Sequence, residues 1–197
     1  ARMAPKLVGS ITRAVHLCES TLAFGRAEEP GPTLTQVRLA DVVDDVLDSE
    51  RLAAGEFPLV FNMDVPADLF IRADPEQLYR VLGNLVRNAR QAITATGKAG
   101  EIRVQADEDE DFWVIRVTDT GPGLPAKARD HLFQAFQGGT TKGGSGLGLV
   151  IASELVRGHG GRLDLARTDA EGTEFAIWLP KGEAAALAED MQTNPAV

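Results

Sequence analysis

The chain has 197 residues, of which 44% are hydrophobic and 25% charged, a composition typical of a folded globular protein. Lysine and arginine number 20 and aspartate and glutamate 29, so the net charge is −9. This acidic balance argues against nucleic acid, and against an anionic membrane surface, as the main partner. Cys18 is the only cysteine in the sequence, which excludes an intramolecular disulfide and favours a reducing, cytoplasmic location.

We expect no direct membrane contact from this chain. No apolar run approaches the length of a membrane span, and the first residues lack the apolar core of a signal peptide. A longer protein could still carry a membrane anchor upstream.

Residues 7–26 are predicted to form a helix, because apolar residues recur there at spacings of three and four. The resulting broad apolar stripe needs a partner, in this chain or in a second copy. The sequence Glu-Glu-Pro-Gly-Pro at 28–32 ends the helix. We therefore divide the chain into a helical segment at 1–30, a linker at 31–36, a domain at 37–181 and a tail at 182–197.

The domain alternates between predicted helices and strands. The strongest local signal is at Asp74, where an N-cap aspartate precedes Pro75 at the first helical position and Gln77 at the third. The predicted helices span 39–53, 75–94 and 146–157. The predicted strands span 59–63, 69–71, 101–106, 112–118, 162–166 and 174–179.

Glycine makes up six of the twelve residues at 137–148, immediately before the last predicted helix. Glycine lets backbone N–H groups approach an anion closely, and a helix N-terminus adds free N–H groups and a positive dipole end. The segment is therefore a candidate polyphosphate cradle, to which Lys142 would add a point charge. Taken alone, it fits a flexible surface loop equally well, and it has neither the dinucleotide fingerprint nor the P-loop spacing.

Asp119 directly follows the predicted strand 112–118 and begins the sequence Asp-Thr-Gly-Pro-Gly. A carboxylate at a strand end can accept a hydrogen bond from an exocyclic amine such as that of adenine. Gly121 and Gly123 would let a flat ring lie against the backbone. Taken alone, this sequence is better explained as an ordinary turn.

Asn84 and Asn88 lie four residues apart on the predicted helix, so their amides share one face. Amide oxygens are acceptable ligands for Mg²⁺, a hard cation that prefers oxygen. Taken alone, the pair is better explained as two solvated asparagines.

In this order and spacing, the three segments resemble the catalytic, ATP-binding domain of sensor histidine kinases, which belongs to the GHKL ATPase superfamily. The resemblance covers about residues 37–180. It is carried by an N box at Asn84–Ala89, a first glycine box at Asp119–Pro125, an F box at Leu132–Phe136 and a second glycine box at Gly144–Leu149. It implies an α+β fold, a two-layer sandwich in which helices cover one face of a mixed sheet. It also implies that residues 1–30 are the second helix of a dimerisation and phosphotransfer hairpin.

The resemblance assigns roles to individual residues. Asp119 would bind the adenine amine, Gly121 and Gly123 would shape its pocket, Asn88 would coordinate Mg²⁺ and Asn84 would support the phosphate side. The other implied ATP contacts are Lys142, Gly144, Ser145, Gly146, Leu147, Gly148 and Thr173.

Gln91 departs from the family pattern, because many relatives have a basic residue there near the phosphates. Arg87, Arg90 or Lys142 would have to compensate for the missing charge.

The asparagine at position 84 bears on the type of reaction. ATP-hydrolysing members of the superfamily carry glutamate there as a base, and an amide cannot accept a proton at neutral pH. The resemblance therefore implies transfer of the γ-phosphate of Mg-ATP to a histidine on an upstream helix absent from this chain. It further implies relay to a response regulator receiver domain, and a homodimer formed through the N-terminal helix.

The alternatives are a non-catalytic phosphotransfer relative that docks a response regulator, a GHKL-type serine/threonine kinase, and a bare ATPase. None of the three histidines, at 16, 131 and 159, is expected to be the acceptor.

Overall fold

The structure of the chain is a computed structural model that describes residues 31–129, 132–133 and 147–182. Three predicted segments lie outside the described residues: the helix at 7–26, positions 144–146 of the second glycine box and positions 134–136 of the F box. In chain order, the described elements are β1 (Thr35–Arg38), α1 (Leu39–Ala54), β2 (Leu59–Asp64), β3 (Phe70–Ala73), α2 (Pro75–Thr96), β4 (Gly100–Glu108), β5 (Phe112–Asp119), α3 (Ala126–Arg129), α4 (Gly148–Gly158), β6 (Arg162–Asp169) and β7 (Gly172–Pro180).

Five strands form a mixed sheet in the order β2-β4-β5-β7-β6. Strands β2 and β4 pair in parallel, and the other neighbours are antiparallel. Alternate residues of each strand face opposite sides of a sheet. Ile102 and Val104 of β4 are buried on one side, whereas Arg103 between them is exposed. One face of the sheet is therefore apolar and the other is polar.

Helices α1, α2 and α4 supply the other half of the core. Each has a buried apolar face that packs with the inward residues of the sheet in one continuous cluster. Strands β1 and β3 form a separate antiparallel pair, with Val37 opposite Ile71. The architecture is a two-layer α+β sandwich with a mixed sheet, so the predicted fold class is confirmed.

Helix α2 begins where the sequence predicts. Asp74 has an extended backbone, and its side chain accepts the Gln77 N–H at 3.0 Å, while Pro75 occupies the first helical position. These three residues act within one turn, so their effect is independent of the rest of the fold.

The structure contains two short elements, strand β1 and helix α3, that the sequence did not predict. Thr35 and Gln36 belong to strand β1, although the sequence places them in the linker. This strand has four residues and only Val37 is buried, so it has no apolar alternation to detect. The four-residue helix α3 is too short for a periodic signal.

Candidate nucleotide-binding site

Asp119 is the last residue of β5 and is only 6% exposed. It lies opposite Thr173 of β7, and its Oδ1 accepts the N–H of Gly121 at 2.7 Å. Burial raises the pKa of Asp119, although hydrogen bonds from the backbone N–H groups of Gly121 and Thr173 oppose this effect. The structure thus holds a desolvated carboxylate at the end of a central strand.

Gly121 brings this carboxylate close to helix α2. A Cβ atom at Gly121 would lie 2.7 Å from Asp119 Oδ1 and 3.4 Å from Ala92 Cβ. A side chain at this position would therefore fill the space beside the carboxylate.

Gly123 faces a different neighbour. Its φ is +72°, and a Cβ atom there would lie 2.0 Å from the carbonyl oxygen of Asp169 in β6. Glycine is needed at this position so that the first glycine box can pack against the end of β6. Gly123 thus affects the site through backbone packing.

Asn84, Asn88 and Ala92 follow one another at intervals of four on α2 and share one helix face, which we call the α2 stripe. The Asn84 end lies beside α4, because a Cβ atom at Gly148 would be 3.4 Å from Asn84 Oδ1. The Ala92 end lies beside Gly121. Eight residues span about 12 Å of helix axis, with Asn88 midway. The stripe therefore connects the buried carboxylate to the start of α4.

Helix α4 begins at Gly148, and its N-cap residue Leu147 has a completely buried side chain. Leu147 therefore anchors the start of the helix in the core, and it can offer only backbone to a ligand. The first N–H groups and the dipole of α4 favour an anion at this end. Lys142, Gly144, Ser145 and Gly146 lie outside the described residues.

Thr173 supports the site from β7. Thr173 is buried, and its backbone N–H donates to the Asp119 carboxylate. Its Oγ1 lies 3.5 Å from Thr168 Oγ1. These contacts hold Asp119 in place from behind.

Arg87 and Arg90, two of the residues that could compensate for the uncharged Gln91, both pair with a glutamate of α1. Arg90 Nε lies 2.6 Å from Glu50 Oε2, and Arg87 Nε lies 3.4 Å from Glu50 Oε1. Glu50 belongs to α1 and is 4% exposed, so both guanidinium groups are drawn to a buried carboxylate. Each guanidinium thus pairs with Glu50 through its Nε, and compensation for Gln91 by either arginine stays a prediction.

Ala92 was not predicted as a site residue, although it continues the Asn84–Asn88 spacing by one more turn. The structure also shows why Gly172 is a glycine, because a Cβ atom there would lie 1.8 Å from the carbonyl oxygen of Asp119. That contact joins distant segments, so a single sequence contains no local signal for it.

Two general features complete the description. Within residues 31–129, 132–133 and 147–182, no group of three or more His, Cys, Asp or Glu side chains could hold a metal ion. Among the helices that the structure describes, none is long and apolar enough to cross a membrane.

Residues 73–183 match the family model described as histidine kinase-, DNA gyrase B-, and HSP90-like ATPase. The chain belongs to this family, whose members are ATPases by description. Within it, the catalytic ATP-binding domain of sensor histidine kinases is the type that this chain matches, so the resemblance stated from the sequence is confirmed.

Two curated relatives and one solved structure illustrate the match. The circadian input-output histidine kinase CikA of Synechococcus elongatus is 32% identical over 181 residues, covering 86% of this chain and 23% of CikA. The sensor histidine kinase ZraS of Escherichia coli is 42% identical over 111 residues, covering 56% of this chain and 23% of ZraS. Full-length ShkA in complex with AMPPNP is 28% identical with a TM-score of 0.74, covering 85% of this chain and 35% of ShkA. The chain thus spans less than a quarter of these curated relatives.

Proposed function

We propose that this chain is the ATP-binding catalytic region of a two-component sensor histidine kinase. In this proposal it transfers the γ-phosphate of Mg-ATP to a histidine on an upstream helix outside the chain. One observation carries the proposal: the α2 stripe joins a buried carboxylate at one end to a helix N-terminus at the other. Such a site fits a ligand with a hydrogen-bonding flat ring at one end and an anion at the other.

The adenine end is formed by Asp119, Gly121 and Ala92. The Asp119 carboxylate has more lone pairs than its two backbone donors use, so it can also accept a hydrogen bond from the adenine amine. The missing side chain at Gly121 and the small one at Ala92 leave room for the ring. Gly123 and Thr173 fix the backbone around this carboxylate.

The phosphate end is formed by Asn84, Asn88 and the start of α4. Backbone N–H groups at Leu147 and Gly148 would bind the phosphates, together with Lys142, Gly144, Ser145 and Gly146 from the second glycine box. The Asn88 amide oxygen, midway along the stripe, would hold Mg²⁺, which keeps its other positions for water and phosphate oxygens. When bound, Mg²⁺ neutralises charge that develops on the transferring phosphoryl group.

The residue at position 84 supports transfer to a histidine. Hydrolysis needs a base to activate water, and the Asn84 amide cannot accept a proton at neutral pH. A neutral imidazole nitrogen already has a free lone pair and needs no base from this chain. Catalysis would then depend on positioning the γ-phosphate in line with the nucleophile and on charge stabilisation.

His159 is unsuited to be the acceptor, because its two ring nitrogens are engaged by Asp74 N–H and the Leu155 carbonyl oxygen. His16 and His131 lie outside the described residues. We expect the phosphoryl group to pass from the upstream histidine to a response regulator receiver domain. We also expect the kinase to be a cytoplasmic homodimer through the N-terminal helix.

The test compares this chain with one extended upstream to include the acceptor helix. This chain should bind Mg-ATP in calorimetry without labelling itself from radioactive γ-phosphate. The extended chain should become labelled on a histidine, with an acid-labile, base-stable product. If this chain does not bind nucleotide, the result favours the non-catalytic scaffold. Label on serine or threonine favours the GHKL-type serine/threonine kinase. Rapid ATP hydrolysis by this chain alone favours a bare ATPase. Acid-labile label on His16 would show that the acceptor histidine lies within this chain and would contradict the proposal that it lies upstream.

A further inference from the structure

Asp74 connects helix α2 to the segment that precedes the domain. Its Oδ1 accepts the N–H of Gln77 at 3.0 Å, which caps the helix. Its Oδ2 accepts the N–H of Thr33 at 3.0 Å, which holds the chain 41 residues upstream. Burial raises the pKa of Asp74, but hydrogen bonds from the backbone N–H groups of Gln77, Thr33 and Glu76 outweigh it, so the pKa is lowered. At neutral pH both contacts are therefore made to an ionised carboxylate, which strengthens them.

His159 ties the same point to the end of α4. The backbone N–H of Asp74 donates to His159 Nε2 at 3.0 Å, and His159 Nδ1 is 2.8 Å from the carbonyl oxygen of Leu155. This arrangement requires a neutral imidazole with its proton on Nδ1. His159 is 6% exposed. A Cβ atom at Gly158 would lie 3.6 Å from Pro32 Cδ, so the upstream segment also packs against the end of α4.

This junction lies at the far end of the helix pair from the phosphate side of the candidate site. Asp74 contacts the end of α4 at His159, whereas Asn84 lies beside its beginning at Gly148. Ten residues of α2 separate these two contacts, a distance of about 15 Å along the helix axis. Helices α2 and α4 thus run in opposite directions, with the upstream segment attached at one end and the phosphate site at the other.

We propose that Asp74 and His159 form a latch that holds the linker at Thr33 against the α2–α4 helix pair, and that Asp74 is thereby a positioning residue for phosphoryl transfer. The inference rests on the proposed function, because it concerns delivery of the γ-phosphate to a histidine upstream of the linker.

The latch acts through geometry. The reacting atoms must approach to about 3–3.5 Å, and small misplacements reduce rates strongly. Attachment at Thr33 fixes the point at which the chain leaves the domain. Without it, the chain is held next by strand β1, which begins at Thr35. Release therefore lengthens the free linker and removes its fixed direction, which lowers the effective concentration of the nucleotide at the acceptor.

Four substitutions separate the latch from other effects. Thr33→Pro removes the donor N–H, whereas Thr33→Ala keeps it and serves as the matched control. Asp74→Asn keeps one side-chain oxygen, which can still cap α2 because asparagine caps helices well. It loses the second oxygen, which accepts the Thr33 N–H. Gly31→Pro stiffens the linker while leaving the Thr33 N–H in place.

In the upstream-extended kinase, Thr33→Pro and Asp74→Asn should each lower the autophosphorylation rate at saturating ATP by roughly threefold to tenfold. The dissociation constant for Mg-ADP should stay within about twofold, because the nearest proposed nucleotide contact, at Asn84, is about 15 Å along α2 from Asp74. The double variant should be no slower than the slower single one, since both remove the same contact. Thr33→Ala and Gly31→Pro should retain the starting rate.

A second measurement uses this chain without any phosphoryl transfer. The amide proton shift of Thr33 in NMR spectra should change with pH as Asp74 titrates, below the ordinary aspartate range, and this change should vanish in Asp74→Asn. If the extended kinase fails to label, the proposed function fails while this titration still reports on the contact. If the kinase labels and Thr33→Pro is as fast as Thr33→Ala or faster, the positioning role is refuted. A Thr33 amide shift unaffected by Asp74→Asn refutes the latch itself.

Discussion

Replacing Asp119 with asparagine should weaken nucleotide binding and change which base is preferred. The wild-type carboxylate receives N–H groups from Gly121, at 2.7 Å, and Thr173, and it would receive the adenine amine as a third donor. An asparagine has one acceptor oxygen, which the Gly121 N–H would retain, and its amide NH₂ cannot accept from adenine. Losing a hydrogen bond to a charged acceptor costs about 1.5–3 kcal/mol, or roughly tenfold to more than a hundredfold in dissociation constant.

Calorimetric titration with Mg-ADP and Mg-IDP measures both effects. Hypoxanthine has a carbonyl oxygen where adenine has its amine, so the NH₂ of Asp119→Asn can donate to it. The preference for ADP over IDP should therefore fall in the variant or reverse. Asp164→Asn is the matched control, since Asp164 pairs with Arg162 at 3.0 Å on β6 and its side chain is about half exposed. It removes the same charge and should leave both affinities unchanged.

The pH dependence of stability distinguishes lost recognition from lost folding. Burial raises the pKa of Asp119, so its favourable contribution is complete at low pH and is lost as pH rises through the raised pKa. Asparagine cannot ionise, so the variant should gain stability relative to the wild type as pH increases from the ordinary aspartate range. Equal ADP affinity in the two proteins would remove Asp119 from the adenine role. Weaker binding accompanied by a general loss of folded protein would refute the recognition argument.

Further predictions concern the metal, the backbone and the buried ion pairs. Asn88→Ala should abolish most Mg²⁺-dependent transfer in the upstream-extended kinase and keep its thermal midpoint, because alanine is well tolerated in a helix; an unchanged labelling rate would contradict the role. Gly172→Ala should lower the unfolding free energy in urea by about 3 kcal/mol or more, since its Cβ atom would lie 1.8 Å from a backbone oxygen at φ +147°. Gly83→Ala should raise the unfolding free energy by about 0.5–1 kcal/mol, because a Cβ atom added at Gly83 would meet no atom within 4 Å. Glu50→Ala should lower the unfolding free energy by about 3 kcal/mol, because the largely buried Arg90 loses its partner; a change below about 1 kcal/mol would argue against that pair.

Helix α2 is the element that the sequence predicts best, and the reason is local. Its start is encoded by Asp74, Pro75 and Gln77 within a single turn, and its apolar residues recur over its full length. The observed helix ends at Thr96, two residues beyond the predicted end. The positions of Asn84 and Asn88 on one face follow from helix geometry alone, so two of the three residues of the α2 stripe, and its direction, were predictable.

The partners across the stripe could not be predicted in the same way. Which strand lies beside which is decided by packing of the whole sheet, and the contact of Gly172 with Asp119 exists only because β7 pairs with β5. The glycine and aspartate are 53 residues apart in sequence, so no periodic pattern connects them. Family resemblance supplied Asp119 and Thr173 as ligand contacts, whereas the structure adds that Thr173 holds the Asp119 carboxylate from behind.

The charge distribution on α2 sets a further condition on nucleotide binding. Arg87 of the N box and Arg90, which follows the box, pair with Glu50, and the α2 stripe carries two amides and an alanine. Gln91, which is exposed, adds no charge. We therefore expect the negative charge of a triphosphate to be met mainly by backbone N–H groups of α4, by Mg²⁺ and by Lys142. Because position 91 adds no charge and Arg87 and Arg90 pair with Glu50, affinity for ATP in this chain should depend more steeply on Mg²⁺ than in a Gln91→Lys variant.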